Sequence, residues 1–221
     1  MNSLTRIGPT FALLACVALS QGALAQSGDF DTELHAIQQQ WAEANYASAS
    51  DKAREQSLQS LAERADAFAQ HFPGRAEALV WQGIVLSTYA GAKGGLGALG
   101  LARDARDKLQ AALKLDPEVL DGSAYTSLGT LYYKVPGFPL GFGNDAQAGD
   151  YLRKALSVNP DGIDQNYFYG EYLYELGDYV KAERYLQKAL AAPPRPDRQL
   201  ADEGRRREIN ALMERVHRKM G

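Results

Sequence analysis

The chain has one cysteine, three histidines and no second cysteine with which the first could pair. A fold of this length therefore cannot rest on an internal disulfide, and hydrophobic packing has to hold it. His35, His71 and His217 are scattered, and no two share a metal-ligand spacing, so a zinc centre is not expected. There is no Gly-x-Ser-x-Gly nucleophile elbow and no lysine followed by serine or threonine after a glycine-rich turn. Positive charge is also in deficit: 24 basic against 27 acidic residues give a formal net charge of -3, which argues against a nucleic-acid partner. No apolar run approaches the ~20 residues that a membrane-spanning helix needs, so no transmembrane segment is expected in the mature chain.

The first residues do follow one recognisable order. Arg6 precedes a mostly apolar run from Phe11 to Leu19, and Ala23-Leu24-Ala25 supplies small residues before Gln26. Charge, then grease, then a small-residue site is the pattern of an export signal, here 1-25, with cleavage after Ala25 and a periplasmic or secreted product. Cys16 lies inside the run, but Val17-Ala18-Leu19 continues the grease behind it. A lipid-anchored cysteine would open a polar tether instead, so lipid anchoring at Cys16 is disfavoured.

Beyond that segment the chain repeats itself. From Ile163 to Asp197, Gly170, Gly177, Tyr179, Ala182, Leu186, Ala189 and Pro194 fall at fixed intervals. Small residues at these steps let two antiparallel helices approach closely, Gly177-Asp178 breaks one helix and caps the next, and Pro193-Pro194 ends the second. Leu128, Gly129 and Tyr132, then Ala148, Leu152, Ala155 and Pro160, give the same landmarks; so do Gly83 and Leu86, then Ala105, Leu109, Ala112 and Pro117. A fourth, degenerate pair carries apolar stripes at Phe30, Leu34, Ile37 and Trp41 and at Leu58, Leu61, Ala65, Phe68 and Phe72. Leu200, Ile209, Leu212, Met213 and Val216 mark a closing helix.

The landmarks resemble the tetratricopeptide (TPR) repeat of about 34 residues. The expected architecture is all-α: a right-handed alpha-alpha solenoid of TPR-like hairpins over 26-197 (about 30-73, 75-117, 121-160 and 163-194), with a capping helix at 198-221. The widened turns and the Leu-Gly-x-Leu-Tyr-Tyr helix followed by Pro136-Gly137 are also similar to the T-component of tripartite ATP-independent periplasmic (TRAP) transporters.

Two insertions interrupt the turn within a repeat, Gly91 to Gly100 and Val135 to Asn144. The five glycines of the first predict a loop, since each costs about 0.8 to 1 kcal/mol against alanine in a helix. Both loops are expected on one edge of the solenoid, with Lys93, Phe138, Phe142 and Asn144 as the contact residues of that edge. Gly95-x-Gly97-x-x-Gly100 spells a dinucleotide fingerprint but follows a helix rather than a strand, so no nucleotide cofactor is expected. The run Arg205-Arg206-Arg207 beside Asp202 and Glu203 reads as a solvated, salt-bridged helix face, and Asp161, Asp164 and Glu171 as surface charge near a helix start.

The TPR resemblance implies a concave groove lined by the first helix of each hairpin. Its positions carry over to Glu77, Val80, Ile84 and Ser87, to Ser123, Thr126, Thr130, Tyr133 and Lys134, and to Asp164, Tyr167, Glu171, Tyr174 and Glu175. Thr126, Thr130, Tyr133, Lys134, Tyr167, Glu171 and Tyr174 are the candidate binding residues among them. With no catalytic constellation in view, the reading is a non-enzymatic, exported scaffold that binds a protein or peptide. The alternative is a transport accessory that binds a small apolar ligand, and either form could be a homo-oligomer. No cofactor or metal is implied.

Overall fold

The computed structural model describes residues 13-221, with side chains from residue 29 onward. Residues 1-12 of the expected export signal, and the side chains around Cys16 and the expected cleavage site after Ala25, lie outside the described residues. Among the described residues there are nine α-helices and no strand. They are α1 (Leu13–Tyr46), α2 (Asp51–His71), α3 (Ala76–Lys93), α4 (Gly95–Leu115), α5 (Val119–Lys134), α6 (Asp145–Val158), α7 (Ile163–Glu175), α8 (Tyr179–Ala191) and α9 (Gln199–Met220). A single 3-10 turn, Pro196–Arg198, leads into α9.

Local chemistry sets the helix starts. Ser50, Asn144 and Asp178 each accept a hydrogen bond from the backbone N–H three residues on, at 3.2, 2.9 and 3.2 Å, and so cap α2, α6 and α8. Successive helices then pair as α1 with α2, α3 with α4, α5 with α6 and α7 with α8. Three of these pairs share one packing unit. Gly83 sits against Leu109 and the carbonyl of Ala105, Gly129 against Leu152 and that of Ala148, and Gly170 against Leu186 and that of Ala182. All six of those outer-helix side chains are fully buried. The unit recurs because glycine lets one backbone approach while a leucine four residues beyond an alanine fills the space alongside.

The pairs form an all-α solenoid that closes on itself. The first helices of the pairs touch in the order α1, α3, α5, α7, α9, and α9 touches α1 again. Helices α2, α4, α6 and α8 lie outside this ring. At the seam the Tyr46 ring lies directly on Gly204, where a Cβ would overlap it, and Tyr46 Oη donates to Glu208 Oε2 at 3.2 Å.

One expectation needs correction. The glycine-rich segment from Gly91 to Gly100 is not a loop: α3 continues to Lys93 and α4 begins at Gly95. Gly94 and Gly95, both at φ 62°, make the reversal alone. Gly91, Gly97 and Gly100 stay helical, and their propensity cost of about 1 kcal/mol each is offset by Ala98, Leu101 and Ala102 packing on the core. The second insertion is a loop, folded on itself through Gly141 N–H to Gly137 O at 3.1 Å, Gly143 N–H to Pro136 O at 3.0 Å and Asn144 N–H to Tyr132 O at 2.7 Å.

Candidate functional site

The ring of helices surrounds a half-open cavity of about 660 Å³. Each element presents a different part of it. Trp41 comes from α1, Ile84, Ser87 and Thr88 from α3, and Leu96 and Leu99 from the start of α4. Thr126, Ser127, Thr130 and Lys134 come from α5, and Asp164, Tyr167 and Glu171 from α7. The second insertion adds Val135, Pro136 and Leu140, so both insertions border the same opening.

Much of this wall behaves as apolar even where the residues are polar. Ser87 and Thr88 both donate to Ile84 O, Ser123 to Leu120 O, Thr126 to Gly122 O and Thr130 to Thr126 O, at 2.6 to 3.3 Å. Each hydroxyl spends its proton on its own helix and is left with weak acceptor capacity, which at Thr88 already serves Trp41 Nε1. Leu96 and Leu140, which border the cavity, are 87 and 65% exposed, and Phe138, two residues before Leu140, is 93% exposed; together they make an apolar rim that no other described residue covers.

Another part of the wall is ionic. Asp202 accepts from Arg195 Nε at 2.8 Å, and Arg195 Nη1 donates to Asp164 Oδ2 at 2.9 Å. Arg205 Nε donates to Asp164 Oδ1 at 2.8 Å and Arg205 Nη1 to Glu208 Oε2 at 2.5 Å. The series joins α7, the turn before α9, α9 itself and, through Tyr46, α1. Burial alone would raise the Asp164 carboxyl, but Arg205, Arg195 and Arg198 outweigh it and hold the group well below the ordinary carboxylate range. Burial pushes the Tyr46 phenol up to about 12, Arg205 opposing and Glu208 adding to the shift.

Two readings from the sequence change accordingly. The Arg205-Arg206-Arg207 run is not a solvated face: Arg205 keeps 8% of its side-chain exposure, with its guanidinium over Tyr167 and Phe168, while Arg206 donates to Leu190 O and Ala192 O and closes the end of α8. Asp164 is likewise no surface charge but the centre of the ion-pair series, and Asp202 pairs with Arg195 rather than with Arg206.

The candidate groove residues divide. Thr126, Thr130, Lys134, Tyr167 and Glu171 line the cavity together with Ile84, Ser87, Ser123 and Asp164. Tyr133 lies behind them, its Oη donating to Glu171 Oε2 at 2.6 Å, and Lys134 Nζ reaches the other oxygen at 2.9 Å. Burial first and Glu171 second push the Tyr133 phenol well up. Tyr174 sits elsewhere, its ring against Tyr179 and under Arg215. Val80 is in the core, Glu77 pairs with Arg75, and Glu175 is exposed.

On the loop edge, Phe138 points outward, but Phe142 turns in against Tyr132 and beneath Arg106. Asn144 is the cap of α6, and Lys93 leans over the Tyr89 ring. Sequence reasoning misses Trp41, Trp81, Arg195, Arg198, Arg205 and Glu208 as parts of the site. The one signal available is the pair of basic residues flanking a proline turn at 195-198, which by itself reads only as a stiff connection. Among the described residues no group of three or more His, Cys, Asp or Glu could hold a metal ion, and no helix is long and apolar enough to cross a membrane.

No family model matches the chain, and no curated protein matches it. Solved structures do. The thermophilic TPR protein TTC0263 of Thermus thermophilus is similar over 75% of this chain and 75% of that one, at 22% identity and a TM-score of 0.55. MamA of Desulfovibrio magneticus RS-1 is similar at 18% identity over 72 and 86% of the two chains, with a TM-score of 0.43. PilF of Pseudomonas aeruginosa follows at 16% identity over 85 and 93%, with a TM-score of 0.34. The first of these likenesses gives the chain the fold of a TPR protein.

Proposed function

We propose that this TPR-fold chain is an exported binding protein, without covalent chemistry of its own, that holds a small and largely apolar ligand inside the ring of helices. The carrying observation is closure. An open TPR groove would follow an extended peptide, whereas here α9 returns to α1 and the groove becomes a cavity of about 660 Å³, within the range of roughly 300 to 1,000 Å³ typical of small-molecule sites. The spent hydroxyls of α3 and α5 suit a hydrocarbon surface, and the acids of the cavity are engaged by Lys134, Arg195 and Arg205 rather than free for proton transfer. The likeness of the Leu128-to-Gly137 stretch to TRAP T-components points toward the same role, as an accessory to transport across a cell envelope. Export with cleavage after Ala25 completes the reading.

Nile red fluorescence tests it. The dye should brighten on binding the processed chain, and Ser127→Trp, which fills the cavity from α5, should abolish the signal while the helical circular dichroism stays. Equal binding by Ser127→Trp would place the dye elsewhere and refute the cavity as the site.

A second reading, a protein-interaction scaffold, is favoured by the apolar rim. Leu96 and Phe138 are too exposed to serve the core and are suited to a polypeptide surface. A partner lost on the double change Leu96→Ser and Phe138→Ser, with Nile red binding intact, would support it.

A further inference from the structure

One cation of the cavity stands outside the ion-pair series. Lys134 is held by Glu171, Arg195 by Asp164 and Asp202, and Arg205 by Asp164 and Glu208. Arg198 also lines the cavity, yet among the described residues no carboxylate pairs with it and its buried Nε has no acceptor. Its guanidinium lies beside the paired indoles, Cζ 4.9 Å from the Trp81 ring centre and 6.0 Å from that of Trp41. Arg195 repels it, while Asp164 and Asp202 attract it from beyond pairing distance. Stacking on aromatic faces accommodates the charge but leaves the edge donors of the guanidinium unused.

A second orphan lies beside it. Trp81 is 3% exposed and also lines the cavity, and its Nε1 has no acceptor, whereas Trp41 Nε1 donates to Thr88 Oγ1 at 2.9 Å. Two unsatisfied donors on one wall, one of them cationic, are an unfavourable arrangement for the chain by itself and a favourable one for an anion. We infer that the ligand is an amphipath with a single negative charge: a carboxylate on a hydrocarbon chain, its head on the Arg198 guanidinium and the Trp81 indole N–H, its chain along Ile84, Leu99, Val135 and Leu140.

Carboxylate is preferred to phosphate on two counts. The planar guanidinium fork matches the two oxygens of a carboxylate. A phosphate dianion would bring a second charge to a place with one unpaired cation, within the field of Asp164 and Asp202.

The inference rests on the cavity reading above, and isothermal titration of the processed chain with dodecanoate, 1-dodecanol and dodecyl phosphate separates the two. Dodecanoate should bind about tenfold or more tightly than 1-dodecanol, because a charge-assisted bidentate pair is roughly twice as strong as a neutral hydrogen bond. Arg198→Gln should remove that advantage while leaving 1-dodecanol within about threefold of its wild-type affinity, and Arg198→Lys, which keeps the charge and loses the fork, should fall between. The wild-type comparison of head groups needs no variant and stands whether or not either variant folds. Equal binding of dodecanoate and 1-dodecanol, or tighter binding of dodecyl phosphate, would overturn the carboxylate site while leaving the apolar cavity. Binding of none of the three would overturn both.

Discussion

Gly129→Ala sets two effects of known sign against each other. Alanine in place of glycine in a helix interior is worth about 0.8 to 1 kcal/mol in favour of the folded state. At position 129, however, the new methyl would lie 2.5 Å from Leu152 Cγ, 2.9 Å from its Cδ2 and 3.2 Å from Ala148 O. The nearest atom is the branch point of a fully buried leucine, not the tip of a flexible chain, so α5 and α6 must move apart. Overpacking of this kind costs about 1 to 3 kcal/mol. An overlap as close as 2.5 Å places the packing cost in the upper half of that range, at about 2 to 3 kcal/mol, so the net expectation is a loss of about 1 to 2 kcal/mol, or a fall of about 3 to 6 °C in Tm for a chain of this size. Gly170→Ala is the internal control: its methyl would meet Leu186 at 3.1 Å and Ala182 O at 3.3 Å, a gap that a small shift accommodates, so propensity and packing nearly cancel. Thermal unfolding followed at 222 nm should therefore rank wild type and Gly170→Ala together above Gly129→Ala. Shortening the opposing side chain, Leu152→Ala, should make Gly129→Ala neutral or stabilising in that background. If Gly129→Ala melts with wild type, or if the two glycines rank in the opposite order, the close-approach account of this fold is wrong.

Removing the central acid, Asp164→Asn, should cost about 2 to 4 kcal/mol at pH 7, since it leaves Arg195 and Arg205 facing each other in a partly enclosed place. The folded-state pKa of Asp164 is depressed, so its contribution is whole above the ordinary carboxylate range of about 4 and shrinks as pH falls below it. Urea denaturation at pH 7 and pH 3 should show the gap between wild type and variant narrowing in acid, and a gap that widens would refute the assignment. Asn144→Ala should cost about 1 kcal/mol through loss of the α6 cap, measured by Tm, and should leave Nile red binding within error. A binding defect without a stability defect would return Asn144 to the contact edge.

How legible all this was depends on the range over which each feature is set. Gly83, Gly129 and Gly170, with Leu109, Leu152 and Leu186 opposite them, are visible in the sequence because each partner lies within one hairpin and the spacing recurs three times. Closure is not visible in that way. Tyr46 and Glu208 stand 162 positions apart, Arg205 and Asp164 41 apart, and no local pattern announces either pair. The arginine run shows why composition misled: successive residues on a helix turn about 100°, so Arg205 enters the ion-pair series and Arg206 caps α8, while Arg207 is the exposed one. The first glycine insertion misled for a different reason. Propensity counted five glycines, whereas only Gly94 and Gly95 leave the helical conformation and Ala98, Leu101 and Ala102 beside the others are held by the core.

The seat of Tyr46 on Gly204 bears on how such a molecule can change over evolutionary time. Repeat arrays commonly lengthen by duplication, because a free terminus accepts one more copy without disturbing those already stacked. Here the first and last inner helices are one another's neighbours, so a hairpin added beside α9 would part Tyr46 from Gly204 on one side or Arg205 from Asp164 on the other. The number of hairpins is thereby tied to the circumference, as staves are to a cask, and variation is left to the rim, where Leu96, Phe138 and Leu140 can be exchanged without loosening the hoop.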